Sequence, residues 1–176
     1  MVKAKIAKKP KRISKEEYYL GIAKEVSKRS TCFRRSIGAI IVRDDQIIST
    51  GYVGAPRKTR DSLEHGFCLR DKLQIPHGQR YELCRSVHAE QNAIINAARA
   101  GVSLLGGDMF IHGISAETEK TINAFPCFIC KKMIINAGLN RIICSTADEA
   151  IIVFKVEDWA KDWREGDILD DKHQYG

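Results

Sequence analysis

No stretch of this chain approaches the roughly 18 to 20 consecutive apolar residues that a membrane-spanning helix needs. Its start, Met1 to Arg12, is rich in lysine and has no apolar core of the kind an export signal carries. Those two absences predict a protein without membrane contact that stays in the cytoplasm. Internal repeats and low-complexity blocks are missing too, so nothing suggests a repeat architecture. Acidic residues are absent from the first dozen positions, where Lys3, Lys5, Lys8, Lys9, Lys11 and Arg12 supply most of the formal charge of +7. Without them the chain is close to neutral, so the charge reads as a solvated arm and makes nucleic acid a poor candidate partner.

What is present fits one domain: 176 residues can bury a real core. We expect a basic flexible tail over 1–13, one folded domain over 14–165 and a C-terminal tail over 166–176. Six cysteines without an export signal read as thiols, metal ligands or small buried residues rather than disulfides.

Ser14-Lys15-Glu16-Glu17 has the form of a capping box, and Tyr19, Ile22, Ala23 and Val26 recur at helical spacing, which predicts a helix to about Lys28. Apolar runs at Ile37 to Val42 and Gln46 to Tyr52 flank Arg43-Asp44-Asp45 and predict a hairpin. A helix over His88 to Ala100, a strand over Asp108 to His112, a helix over Pro126 to Ala137 and a strand over Arg141 to Ser145 follow. Ile151 to Phe154 can add a strand, and Val156 to Trp163 a closing helix that buries Trp159 and Trp163. This order suits an α/β protein with a central mixed sheet and helices on its faces. Between Val53 and Ser86 neither periodicity holds, which for so long a segment demands an explanation.

Pro126-Cys127-Phe128-Ile129-Cys130 puts two thiols at the start of a helix, where unpaired N–H groups favour thiolate. Alone, such a pair also fits a redox couple or half of a structural zinc site. His88-Ala89-Glu90 opens the other helix, and a helix, strand, helix connection on one face brings both N-termini to the same end of the sheet. Two thiolates and an imidazole leave the fourth zinc position for water, the pattern of a catalytic site. The bound hydroxide is then the nucleophile, and Glu90, a carboxylate that is not a ligand, can shuttle its proton. Residues two apart do not share a helix face, so His88 and Glu90 must splay around the metal. Cys144 reads as core, and His112 and His173 as satisfied or solvated histidines.

His-x-Glu followed by Pro-Cys-x-x-Cys is the recognised signature of zinc deaminases. Beyond it the chain resembles the cytidine and deoxycytidylate deaminase family, chiefly its bacterial deoxycytidylate members. The likeness lies in Ser30-Thr31-Cys32-Phe33-Arg34-Arg35, Gly38 to Val42, Gly51 to Pro56 and Cys84 to Ile94. The resemblance implies a three-layer α/β/α fold on a five-stranded mixed sheet and hydrolysis of dCMP to dUMP and ammonia. It also implies a homo-oligomer, often a hexamer, in some members regulated by dCTP and dTTP. It suggests Arg99, Val53 and Ala55 as substrate contacts, although Val53 stands where the family usually has asparagine. Some members carry a second, structural zinc in the region of the long segment. Here Cys32, Cys68, His77 and Cys84 are the favoured ligands, with His65 as a nearby polar residue. Related deaminases act on dCTP, guanine, a riboflavin precursor or tRNA adenosine, and a non-catalytic zinc-binding module is the reading from another class.

Overall fold

The structure is a computed structural model that describes residues 12–76 and 78–168. Most of the lysine-rich start, His77 and the last residues, His173 among them, lie outside these. Helix α1 (Lys15–Ser27) begins on the expected capping box: the Glu17 N–H donates to Ser14 Oγ at 3.1 Å and the Glu17 carboxylate accepts from the Ser14 N–H at 2.8 Å. Strands β1 (Arg35–Arg43) and β2 (Gln46–Tyr52) form an antiparallel hairpin. Asp44 and Asp45 take φ of 52° and 63° at its turn, as a tight two-residue hairpin requires. The Tyr19 hydroxyl ties α1 to that turn, donating to the Asp45 carbonyl at 3.0 Å.

Short helices α2 (Ser62–His65) and α3 (Leu69–Lys72) and a 3-10 turn at Tyr81–Leu83 lead to α4 (Ala89–Arg99). Then come β3 (Asp108–Ser115), α5 (Phe128–Asn136), β4 (Arg141–Ser145), β5 (Ile151–Lys155) and α6 (Val156–Glu165). The sheet order is β2-β1-β3-β4-β5, and only the β3–β4 pair is parallel, which makes the expected five-stranded mixed sheet.

Alternation along the strands divides the core between two faces. Ile40, Val42, Phe110 and Ile143 pack against Tyr19, Leu20 and Ala23 of α1. On the other face Ala39, Ile41, Met109, Ile111 and Ile142 meet Ala93 and Ala97 of α4, Cys130 and Ile134 of α5 and Trp159 of α6. Two glycines set how closely the helices approach. A Cβ at Gly38 would stand 2.2 Å from the Ala23 carbonyl oxygen, and one at Gly51 2.3 Å from both the Ala89 carbonyl oxygen and the Ala93 nitrogen.

Four details differ from expectation. Strand β3 continues past His112 to Ser115, because Arg35 to Ile37 lengthen β1 and pair with Gly113 to Ser115. Pro126 precedes the capping residue Cys127 instead of lying in the first turn of α5. Trp159 is buried while Trp163 is only half-buried, its ring 6.2 Å from that of Phe128. His112 is neither solvated nor satisfied: it is 7% exposed and its Nδ1 has no hydrogen-bond partner.

Candidate metal and active site

Helix α4 is fastened to β2 by three side chains. Asn92 Nδ2 donates to the Tyr52 carbonyl and Asn96 Nδ2 to the Thr50 carbonyl, each at 2.8 Å, while Ser49 Oγ donates to the Ala93 carbonyl at 2.6 Å. Just before the helix, Val87 and Gly54 exchange backbone hydrogen bonds of 2.8 and 3.2 Å. His88 is thereby held as the capping residue, with extended φ and ψ of −68° and 156°, and its N–H donates to Gln91 Oε1 at 3.0 Å. This resolves how His88 and Glu90 serve one site. The histidine stands outside the helix at its mouth and Glu90 is the second residue of its first turn, so helical spacing does not separate them.

Cys127 caps α5 in the same way, with φ of −70° and ψ of 169°, and Cys130 follows at the third helical position. The approach to this helix is pinned to the carboxyl end of β4, where the Ala124 N–H donates to the Ser145 carbonyl at 3.1 Å. The two helix mouths therefore meet at the end of the parallel strand pair. His88 Nδ1 lies 3.5 Å from Cys127 Sγ and 3.4 Å from Cys130 Sγ. Zn–S and Zn–N bonds of about 2.3 and 2.0 Å in a tetrahedron separate sulfur from nitrogen by about 3.5 Å, so these donors fit zinc. Among the described residues this is the one group of three such side chains whose ligand atoms all lie within 4.8 Å of one another.

The electrostatics suit that chemistry. Without metal the two thiols share a proton: the hydrogen bond from Cys130, helped by His88, lowers the Cys127 pKa, while Cys130 is pushed up by the same partner and by burial. Burial works against the charged form of His88, but the Cys127 thiolate and Glu90 together hold its pKa above the ordinary value. Zinc takes the place of these protons when it binds. Glu90 is 5% exposed, and burial, with the Cys127 thiolate adding to it, raises its carboxyl pKa.

The donors open onto a cavity of about 450 Å³, within the range of small-molecule sites. Glu90, Val53, Phe125, Tyr81, Arg34 and Arg70 help to line it. Of the expected substrate contacts, Val53 reaches the cavity wall, Ala55 is half-buried and does not line it, and Arg99 is exposed at the far end of α4, away from this cavity. Cys32 and Cys84 line the cavity and Cys68 caps α3; all three are half-buried free thiols, and their sulfurs are not drawn together as the first group is. His65 packs its ring edge on Phe67 at 6.1 Å.

The long segment that lacks periodicity is organised by arginines. Arg34 pairs with Asp71 and also donates to the Ile75 carbonyl at 3.4 Å. Arg70 donates to the Pro76 carbonyl at 3.0 Å and lies over the Tyr81 ring. Arg85 donates to the Phe67 carbonyl at 3.0 Å and stacks on the Phe67 ring. Charged side chains that satisfy carbonyls leave no periodic trace, which is why sequence reasoning passed over Arg34, Arg70 and Tyr81 as cavity residues.

The family model for the cytidine and deoxycytidylate deaminase zinc-binding region matches residues 13–146. The chain belongs to this family of zinc-binding deaminases. Its relatives include the deoxycytidylate deaminase of Mycobacterium phage D29, 31% identical over 73% of this chain and 91% of that one. The Schizosaccharomyces pombe deoxycytidylate deaminase is 29% identical over 77% of this chain and 38% of its own length. In general the chain spans between 38 and 59% of the length of three curated cellular relatives. The crystal structure of the dCMP deaminase from cyanophage S-TIM5 in complex with dCMP and dUMP aligns with a TM-score of 0.54 at 26% identity, covering 77% of this chain and 85% of the other. No described helix is long and apolar enough to cross a membrane.

Proposed function

We propose that this chain hydrolyses the 4-amino group of dCMP, giving dUMP and ammonia, with zinc on His88, Cys127 and Cys130 and with Glu90 moving the protons. One observation carries the reading: an imidazole and two thiols meet at zinc-ligand distances beside a single buried carboxylate in a nucleotide-sized cavity. Three donors leave a tetrahedral ion one open position. Zinc bound there supplies Lewis acidity and brings water to a nucleophilic state near neutral pH. Glu90, whose carboxyl pKa is raised by burial, accepts one proton from that water. It delivers that proton to the ring nitrogen next to the reacting carbon, where it remains in dUMP, and then carries the remaining hydroxyl proton to the departing amine, which leaves as ammonia. Val53, Phe125 and Ile37 offer the ring an apolar wall that limits stray water. The choice of dCMP among amino-substituted rings is supported by the phage relatives that carry that activity in their names.

Replacing Glu90 with Gln tests the mechanism. Zinc content stays near that of the parent and turnover of dCMP falls by at least about a hundredfold, the scale of a lost general acid and base. Unchanged turnover contradicts the role.

Two finer readings accompany this one. A second, structural zinc on Cys32, Cys68, Cys84 and His77 is supported by the half-buried thiols around Arg34, whose N–H lies 3.4 Å from Cys32 Sγ. Metal analysis then gives two zinc ions per chain, and one if the clip is absent. Assembly as a homo-oligomer is supported by the exposed Ile95, Leu105, Ile129 and Val153, and sedimentation in solution tests it.

A further inference from the structure

A histidine that ligates a metal normally hands its second ring nitrogen to a carboxylate or a carbonyl, and that bond sets the plane of the ring. His88 is held differently. Its backbone N–H donates to Gln91 Oε1, and Nδ1 faces the sulfurs of Cys127 and Cys130. Among the described residues, every hydrogen bond of the ring itself runs through Nδ1. The plane of the imidazole is therefore left to packing.

What packs against it is Tyr81. The two ring centroids lie 5.2 Å apart with their planes at 82°, an edge-to-face contact. Tyr81 is fixed in its 3-10 turn by local bonds: the Leu83 N–H donates to the Arg80 carbonyl at 3.1 Å and the Cys84 N–H to the Tyr81 carbonyl at 3.0 Å. The Arg70 guanidinium lies over the same ring, 4.8 Å from its centroid. Arg70 is itself 6% exposed and anchored on the Pro76 carbonyl at 3.0 Å. Guanidinium, phenol ring and imidazole thus make one chain of contacts from α3 to the metal donors. Each contact is modest in energy, but a metal bond needs direction: a tilted imidazole binds less well even where the backbone of the histidine has not moved. We propose that Tyr81, backed by Arg70, is a positioning residue for the metal centre, holding the plane of the His88 ring in place of the customary hydrogen bond. The segment ordered by arginines then serves the site as the support of a ligand. This inference rests on the reading of His88, Cys127 and Cys130 as zinc ligands.

The test reads the metal directly. Zinc affinity is measured by competition with a chelator, and the visible d–d spectrum of the cobalt(II)-substituted protein reports ligand geometry, in the parent, Y81F, Y81L, Y81M and R70M. Y81L weakens zinc binding by at least about tenfold, the lower end for loss of a group that orients a ligand, and alters the cobalt bands. Y81F keeps the ring and stays within about threefold of the parent, with its bands unchanged. R70M loses about two- to fivefold, the worth of a cation over an aromatic face. Y81M gives the same reading as Y81L and serves if the leucine chain fails to fold. A merely structural Tyr81 lowers the Tm of the zinc-free chain and leaves affinity and spectrum as in the parent, and that result overturns the proposal. A Y81F loss equal to that of Y81L overturns it too, and parental affinity in R70M removes the part given to Arg70. A parent that takes up neither zinc nor cobalt overturns the metal reading and this proposal together. Tight metal uptake by the parent with no response to Y81L overturns this proposal alone.

Discussion

His112 makes the fold sensitive to acid in a way that can be isolated. It faces α1 from β3, and burial, with the charge of Lys24 adding to it, lowers its pKa from 6.5 to about 4. The unfolded chain therefore binds the proton more readily than the folded one. The stability that neutral His112 permits is present above pH 6.5 and is lost as the pH falls toward 4. Between pH 7 and pH 5 the difference in proton binding amounts to about 2 kcal/mol, or a fall in Tm of about 4 to 8 °C for a chain of this size. Calorimetric melting of the parent and of His112→Leu across that range gives the comparison. The leucine variant loses about 2 kcal/mol less on acidification, since other groups titrate equally in both. At pH 7.5 it lies within about 1 kcal/mol of the parent or above it, because the substitution removes a buried ring nitrogen with no hydrogen-bond partner. Parallel pH dependences for the two proteins refute the assignment.

Other perturbations act on the frame of the site. Gly51→Ala drives a Cβ into the Ala89 and Ala93 backbone of α4. It costs about 3 kcal/mol or more in urea unfolding and weakens zinc retention in a competition with chelator, because the same helix carries His88 at its mouth. Removing zinc with a strong chelator lowers Tm by about 8 to 16 °C if the parent is studied at a thousand times its zinc dissociation constant, and added zinc restores it. An unchanged Tm means that the three donors hold no ion in the folded protein.

The elements with regular apolar spacing were legible from sequence, and so was the capping box at Ser14. Local chemistry and sheet topology decide those features together. The geometry of His88 was less legible, because the pattern places it at a helix start without saying that it caps the helix and turns its ring toward the second helix mouth. The segment from Val53 to Ser86 was opaque for a different reason. Its order comes from Arg34, Arg70 and Arg85 reaching carbonyls, an aspartate and aromatic faces distant in sequence. No short-range periodicity encodes such contacts. Arg99 shows the converse: a resemblance suggested a substrate contact, and the helix carries it to the end away from this chain's own cavity.

The most direct test of the central claim is the reaction itself. Zinc-loaded protein incubated with dCMP should yield dUMP and ammonia in equal amounts, with activity abolished by chelation and restored by zinc. Its rate on dCMP should exceed that on dCTP, CMP, deoxycytidine and guanine. Fully zinc-loaded protein that releases no ammonia from dCMP, or that turns over only one of the other compounds, contradicts the account.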